Sequence, residues 1–273
     1  MNPTISFDGD AVNVMSPEGK SASMKLEDLF EAPARRMNTC GVVLPTGVKL
    51  IYSDGPHTVW VHEAPPRVVQ FKWLSADSPV PFGEGAKYRM VRIALPYLVV
   101  LAVFEKGRLT DANECFFRVA PIESEDDPLL YPALLNCSRF QPPDGRPLSW
   151  ICTQHLDRQF MRERDPSKRM RLGFKSLLFC LLETGYNRSS EHHEFSSWHT
   201  ESTRVDPRIS TIEKWQEASD ADPMFVLDVP WIPTGMSVKA VVERIFKNHR
   251  GGNHRIRSTL DLARLIFNQM KGS

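Results

Sequence analysis

The residue best suited to covalent chemistry is Cys152, which ends a short apolar segment and precedes the polar residues Thr153 to His155. The thiolate of a cysteine is a nucleophile that forms a thioester with an acyl donor. Asn136 ends a hydrophobic run upstream, and an asparagine amide can stabilise the oxyanion that develops when a thioester is attacked. A second interpretation stays open, in which Cys152 is a small buried hydrophobe at a strand end.

A thioester-forming cysteine also needs a group that favours its thiolate. A neighbouring cation lowers the pKa of a cysteine thiol, and His155 is the nearest candidate in the sequence. The alternative is that His155 is a polar surface residue after a strand. The candidate catalytic set is therefore Cys152, Asn136 and His155.

The order of the predicted elements indicates an α+β fold. Segments rich in β-branched and aromatic residues, closed by tight turns, predict successive antiparallel strands. These segments are 41–52, 58–62, 67–74, 88–96, 97–105 and 114–119. After Cys152 the apolar residues recur at helical spacing. They predict helices near 174–182, 210–219, 238–246 and 259–270, with a short strand over 224–229. The expected architecture is an antiparallel β-meander sheet packed with C-terminal helices.

Length and composition limit the classes of protein to which this chain can belong. Its 273 residues include 41% hydrophobic residues and carry a net charge of +1, so no global field draws the protein to DNA or membranes. We expect an N-terminal extension over 1–40, a main domain over 41–248 and a basic turn and helix over 249–273. No apolar run approaches the roughly 20 residues of a membrane span, and the N-terminus does not resemble a secretion signal.

The cysteine count and the motif inventory indicate a cytoplasmic protein without a cofactor. The 5 cysteines are odd in number and lack CxxC spacing, which favours a reducing compartment. There is no Walker loop, no GxGxxG and no HExxH. The histidines His192, His193 and His199 suggest a metal site, but adjacent side chains on an extended segment point to opposite sides. We therefore predict neither a cofactor nor a metal.

A basic stretch near the C-terminus is the strongest candidate for contact with an anionic partner. Clustered lysine and arginine side chains can neutralise phosphates or receive an acidic protein. The residues are Arg244, Lys247, Arg250, Arg255 and Arg257. The alternative is a set of solvated helix-end and loop residues, so nucleic acid is a possible partner that the sequence does not favour.

Several short motifs, taken together, resemble the ubiquitin-conjugating enzyme superfamily. Strands, a proline-bearing apolar segment that ends in asparagine, a loop, an Ile-Cys pair and then helices follow in that family's order. The chain is similar in particular to the divergent prokaryotic family D, which includes PRTRC-system protein B. The motifs are Thr58 to Val61, Pro65 to Val68, Leu95 to Phe104, Tyr131 to Asn136, Ile151-Cys152, Phe195 to Trp198, Trp215 and Val226 to Pro230.

The resemblance implies a function and its partners. Cys152 would accept a ubiquitin-like modifier as a thioester from a partner activating enzyme, and Asn136 would support the oxyanion. The family's histidine is absent, because Leu134 and Leu135 precede the asparagine, and a second cysteine, Cys137, follows it. Two alternatives stay open. One is a catalytically inert protein-binding scaffold of the same fold, and the other is a nucleic-acid-associated accessory protein of a plasmid or defence gene cluster.

Overall fold

A computed structural model of the chain describes residues 4–8, 11–15, 19, 21–25, 44–80, 84–133, 137–138, 148–153, 156–186 and 205–253. The chain divides into two compact units, one made of Met1–Gly41 with His249–Ser273 and the other of Val42–Asn248. The architecture is mixed α+β, which confirms the predicted class. The extension predicted over 1–40, the main domain over 41–248 and the basic turn and helix over 249–273 stay predictions.

The described strands of the first unit form a small antiparallel sheet. β1 (Thr4–Asp8), β2 (Ala11–Met15) and β3 (Ser21–Lys25) lie side by side in chain order. Gly19 lies between β2 and β3 with a φ of 80°, a conformation that glycine reaches without steric cost. The weak hydrophobic periodicity of this segment does not predict the sheet.

The second unit contains the remaining described strands, and the three described helices begin in it. The strands are β4 (Val48–Asp54), β5 (His57–Ala64), β6 (Arg67–Leu74), β7 (Tyr88–Leu95), β8 (Tyr97–Glu105), β9 (Arg108–Leu109), β10 (Glu114–Arg118), β11 (Pro128–Leu130), β12 (Cys137–Ser138), β13 (Trp150–Ile151), β14 (Gly185–Tyr186) and β15 (Pro233–Ser237). The helices are α1 (Pro166–Leu182), α2 (Ile212–Ala221) and α3 (Val238–Asn253), with 3₁₀ turns at Gln159–Arg162, Pro207–Ile209 and Pro223–Leu227.

The main sheet is antiparallel and has the order β12-β13-β10-β8-β5-β4. β9 pairs with β8, and β11 pairs with both β10 and β15. β4 and β5 pair directly, and β8 and β10 continue the sheet in chain order, as the predicted meander requires. The β6–β7 hairpin interrupts this order between β5 and β8.

The central strand β8 is buried on both of its faces. Leu98, Val100, Ala102 and Phe104 share a core with α1 residues, whereas Val99, Leu101 and Val103 share a second core with α3 residues. A strand covered on both faces has no polar side to alternate with its apolar side. This explains why the segment is a continuous apolar run in the sequence.

The start of α1 is determined by the residues around it. The Asp165 side chain accepts hydrogen bonds from the backbone N–H groups of Ser167 at 2.8 Å and Lys168 at 3.2 Å. Such a carboxylate satisfies amides that have no partner within the helix. Pro166 occupies the first helical position, where its fixed φ suits the helix and its missing N–H is not needed. The chain after Cys152 therefore enters α1 at a defined point.

The structure differs from the predicted single sheet at β6 and β7. These two strands form a separate sheet with β14, and β14 pairs with β6 in parallel. Helix α2 covers the free edge of β7. Ala94 donates its N–H to the Ser219 hydroxyl at 2.9 Å and accepts a hydrogen bond from the Trp215 indole at 3.0 Å. Side chains of α2 thus satisfy backbone groups that an edge strand would leave unpaired.

The strand predicted over 224–229 is wrong. Pro223–Leu227 is a 3₁₀ helix, and the Asp222 side chain accepts a hydrogen bond from the N–H of Met224 at 2.9 Å. The local cap and the proline at the helix start favour a helical turn. The apolar side chains of Phe225 and Val226 are buried in that form, so their hydrophobicity did not distinguish a strand from a turn.

Gly47, which precedes β4, packs closely against His62 and Glu63 of β5. Gly47 has a φ of 90°, and a Cβ there would lie 2.6 Å from His62 Nε2 and 2.8 Å from the Glu63 carbonyl oxygen. Gly47→Ala is expected to lower the free energy of unfolding by more than about 2 kcal/mol, since it adds a steric clash to the left-handed backbone cost. Urea denaturation measures the loss.

Gly55→Ala is the matched control for this substitution. Gly55 also has a positive φ, of 57°, but its Cβ would meet no atom within 4 Å. Only the backbone cost applies there, about 1 kcal/mol. Equal losses for the two variants would contradict the packing described at Gly47.

Candidate functional site

Cys152 follows β13 directly, and β13 is held in the main sheet. Trp150 pairs with Glu114 of β10. Ile151 is fully buried and donates its backbone N–H to the carbonyl oxygen of Asn113 at 2.9 Å. The sheet therefore fixes the position of the backbone directly before Cys152.

Burial distinguishes Cys152 from two other cysteines of the second unit. Cys152 is half-buried, whereas Cys115 and Cys180 are buried. Burial raises the pKa of the Cys115 thiol well above its usual value, and the adjacent Cys137 thiol acts in the same direction. Because the thiolate is the nucleophile, Cys115 is unsuited to this role. Cys152 is not one of the residues of the buried core.

Helix α1 holds the segment that follows Cys152 at two points. The Cys180 thiol donates a hydrogen bond to the Cys152 carbonyl oxygen at 3.4 Å. One turn earlier, the Ser176 hydroxyl donates to the Asp157 carbonyl oxygen at 2.7 Å. Residues four apart lie on the same side of a helix, so one face of α1 positions this segment.

Asp111 accepts hydrogen bonds from residues on both sides of Cys152 in the chain. Its backbone carbonyl accepts a hydrogen bond from the Trp150 indole N–H at 2.5 Å. Its carboxylate accepts hydrogen bonds from the Arg158 guanidinium at 2.9 Å and from the Thr153 hydroxyl at 3.4 Å. No motif in the sequence indicates this role, because Asp111 lies in an ordinary turn about forty residues away in the chain.

The pairing of β12 with β13 brings the two predicted catalytic motifs together in the sheet. Cys137 pairs with Ile151, and Ser138 pairs with Trp150. The residue that follows Asn136 in the chain thus lies beside the residue that precedes Cys152. Asn136 itself lies outside the described residues, as does His155, so their roles stay predictions.

A buried carboxylate, that of Glu114, holds the backbone of the two residues that precede β13. Glu114 is fully buried and accepts hydrogen bonds from the N–H groups of Leu148 at 2.8 Å and Ser149 at 3.2 Å. Its other oxygen accepts a hydrogen bond from the Arg244 guanidinium of α3 at 2.5 Å. Burial raises the pKa of Glu114, while Arg244 and the two amides oppose that shift. One side chain therefore links β10, β13 and α3.

The structure describes only part of the basic stretch that was predicted to contact an anionic partner. Arg244 lies in α3 with its side chain turned to Glu114 and only 15% exposed, so it has a structural partner. Lys247 is exposed on the same helix. Arg250 lies within α3, but its side chain lies outside the described part, as do Arg255 and Arg257. Contact of this stretch with a nucleic acid or an acidic protein stays a prediction.

No group of three or more potential metal ligands occurs among the described residues. The histidines considered for a metal, His192, His193 and His199, lie outside those residues. The described part of the chain contains no helix with the length and apolarity needed to cross a membrane.

A buried histidine of β5, His62, predicts a pH dependence of stability. His62 packs against the Phe174 ring, with ring centroids 5.1 Å apart. Burial lowers the pKa of His62 below its usual 6.5; the charge of Arg67 acts in the same direction, and a hydrogen bond to the Thr46 backbone opposes it. The unfolded chain then binds a proton more readily than the folded chain as the pH falls below 6.5.

The free energy of unfolding is therefore expected to decrease as the pH falls from about 7 through the unfolded pKa of about 6.5 toward the lower folded pKa. His62→Gln should make this part of the profile flatter. Urea denaturation at a series of pH values measures both profiles. An unchanged slope in the variant would show that another group causes the dependence.

Comparison of the chain with known protein families, with characterised proteins and with solved structures found no match.

Proposed function

We propose that Cys152 accepts a ubiquitin-like modifier as a thioester and that the second unit has a fold of the ubiquitin-conjugating type. The observation that carries the proposal is the β12–β13 register, in which Cys137 pairs with Ile151. Two motifs selected for their chemistry, which residues 139–149 separate in the chain, thereby meet on adjacent strands. The order of an antiparallel sheet, a half-buried cysteine and then helix α1 supports the same proposal.

The proposed reaction consists of two acyl transfers. The Cys152 thiolate attacks the thioester carbon that joins the modifier to its activating enzyme. A new carbon–sulfur bond forms, and the cysteine thiolate of the activating enzyme leaves. An amine of the final acceptor then attacks the Cys152 thioester, forms an amide, loses a proton and releases the Cys152 thiolate.

The residues around Cys152 have different proposed contributions. Asn136 donates its side-chain amide to the oxyanion that forms during each attack. The fixed backbone on both sides of Cys152, held by Asp111 and α1, keeps the sulfur in one place while large protein partners change. His155 is the proposed cation that favours the thiolate. The absence of the family's histidine before Asn136 leaves the asparagine amide as the principal donor in this proposal.

A trapping experiment tests the proposal. The tagged chain, isolated from its own cells without thiol reagents, is expected to carry a protein adduct that dithiothreitol removes. Cys152→Ser should carry an oxygen ester instead, which dithiothreitol does not remove and which hydroxide cleaves. Cys152→Ala should carry no adduct.

Cys137→Ser is the matched control, because Cys137 is the other partly exposed cysteine of the described sheet. This variant should keep the thiol-sensitive adduct. If the natural chain forms no adduct, or if the adduct persists in Cys152→Ala, the proposal is wrong.

A further inference from the structure

A cleft lies along the outer side of α1, next to the segment that follows Cys152. It has a volume of about 810 Å³. One wall is the 3₁₀ turn Gln159–Arg162 with the two residues after it, and the other wall is the outer stripe of α1. Clefts of roughly 300–1,000 Å³ hold drug-sized ligands, so this cleft matches a short stretch of peptide rather than a folded domain.

The helix wall of the cleft presents large apolar side chains to solvent. Leu172 and Phe179 are seven residues apart on α1 and therefore lie on one stripe, and Phe179 is 49% exposed. The floor is Phe160, which is buried against Gly173. Adjacent exposed apolar groups in a concave site favour contact with another molecule, since their burial removes apolar surface from water.

Among the charged side chains that line the cleft, an acidic one has an ion-pair partner and the basic ones have none among the described residues. Arg162, Arg164 and Lys175 line it, and their side chains make no ion pair with any residue in the described ranges. Glu163, in contrast, pairs with Lys168 at 2.8 Å. It also accepts hydrogen bonds from the backbone N–H groups of the two residues that follow it.

The other acidic side chain of the cleft, Asp157, also accepts a hydrogen bond from a nearby backbone N–H. The Asp157 carboxylate accepts a hydrogen bond from the Gln159 N–H at 2.9 Å. The cleft is thus lined by two carboxylates, of which one pairs with a lysine, and by three cations that form no ion pair with a described residue. The cleft therefore attracts negative charge and disfavours a basic partner.

We propose that this cleft binds a peptide segment of a partner protein in which acidic side chains flank one large apolar side chain. The apolar side chain packs between Leu172 and Phe179. The acidic side chains pair with Arg162, Arg164 and Lys175. A buried apolar anchor with charges at the rim is a common arrangement of a specific interface.

The proposal is independent of the chemistry at Cys152, so it is tested with the full-length Cys152→Ala variant. A bead-bound library of ten-residue peptides is screened in which Asp, Glu, Asn, Gln, Lys, Leu and Phe vary at every position. Acidic peptides with a Leu or Phe are expected to be enriched. The affinity of the best peptide, measured by fluorescence anisotropy, should fall at least tenfold in Phe179→Ser and in Arg162→Glu with Arg164→Glu.

The control places equivalent changes on another exposed surface. Lys72 and Met90 face each other across the β6–β7 hairpin, and both are exposed. Lys72→Glu with Met90→Ser should leave the affinity unchanged. Circular dichroism confirms that each variant is folded, which is expected because Phe179 is half-exposed.

Three outcomes would overturn the proposal. The first is a selection that enriches basic or neutral peptides, or none. The second is an equal loss of affinity in the cleft variants and in the hairpin control. The third is a dimer in sedimentation equilibrium that Phe179→Ser dissociates, since a second copy of the chain would then occupy the cleft.

Discussion

Replacement of Glu114 by alanine is expected to lower the free energy of unfolding by about 3–5 kcal/mol, because breaking a buried pair leaves an uncompensated charge in the protein interior. The Glu114 side chain is 1% exposed, and its partner Arg244 is 15% exposed. The variant also leaves the N–H groups of Leu148 and Ser149 without their acceptor. Urea denaturation of the folded chain measures the loss.

A double-mutant cycle separates the ion pair from the rest of the effect. Glu114→Leu with Arg244→Met removes both charges, and it should cost at least about 1 kcal/mol less than the sum of the two single changes. Glu213→Ala is the surface control, since Glu213 pairs with Arg89 where both side chains are exposed, and its loss should be about 0–1 kcal/mol. A loss at Glu114 no larger than that at Glu213 would contradict the structural role of the buried pair.

Cys152 is expected to react with N-ethylmaleimide about a hundredfold faster than Cys115 or Cys180. The two buried cysteines react only after local or global opening, and that opening costs free energy. The raised pKa of the Cys115 thiol lowers its thiolate fraction as well. Timed labelling followed by peptide mass spectrometry gives the rate for each cysteine.

Two variants assign the fast phase of the labelling. Cys152→Ser should abolish the fast labelling of the peptide that contains residue 152, and Cys137→Ser should leave that labelling unchanged. If Cys152 is labelled as slowly as Cys180, the thiol is inaccessible and cannot receive a modifier. Labelling in urea, where all cysteines are exposed, provides the reference rate.

The sequence predicts the elements in which burial alone determines the pattern of apolar residues. The β8 run from Leu98 to Phe104 is apolar at every position because two cores cover it. The face of α1 that carries Phe174, Leu177 and Leu181 has helical spacing and is buried as predicted. Ile151 and Cys152 were expected at a strand end, and the chain leaves β13 there.

The remaining features depend on contacts between distant parts of the chain. Glu114 lies within a strand segment and has no local sign that it would hold Leu148, Ser149 and Arg244. The separate sheet of β6 and β7 depends on β14, a two-residue strand that follows α1. Two residues are too few to give a periodic pattern. The sequence does not predict the cleft beside α1, because helical spacing marks only the buried face that carries Phe174, Leu177 and Leu181, whereas Leu172 and Phe179 are exposed.

The function proposed for Cys152 requires that this residue, and no other, carries the modifier. The most direct test is tandem mass spectrometry of the thiol-sensitive adduct after proteolysis without reducing agents. We predict that the C-terminal remnant of the modifier is attached to the sulfur of Cys152. A remnant on Cys137, or an adduct-free peptide that contains Cys152 in every preparation, would contradict the proposal.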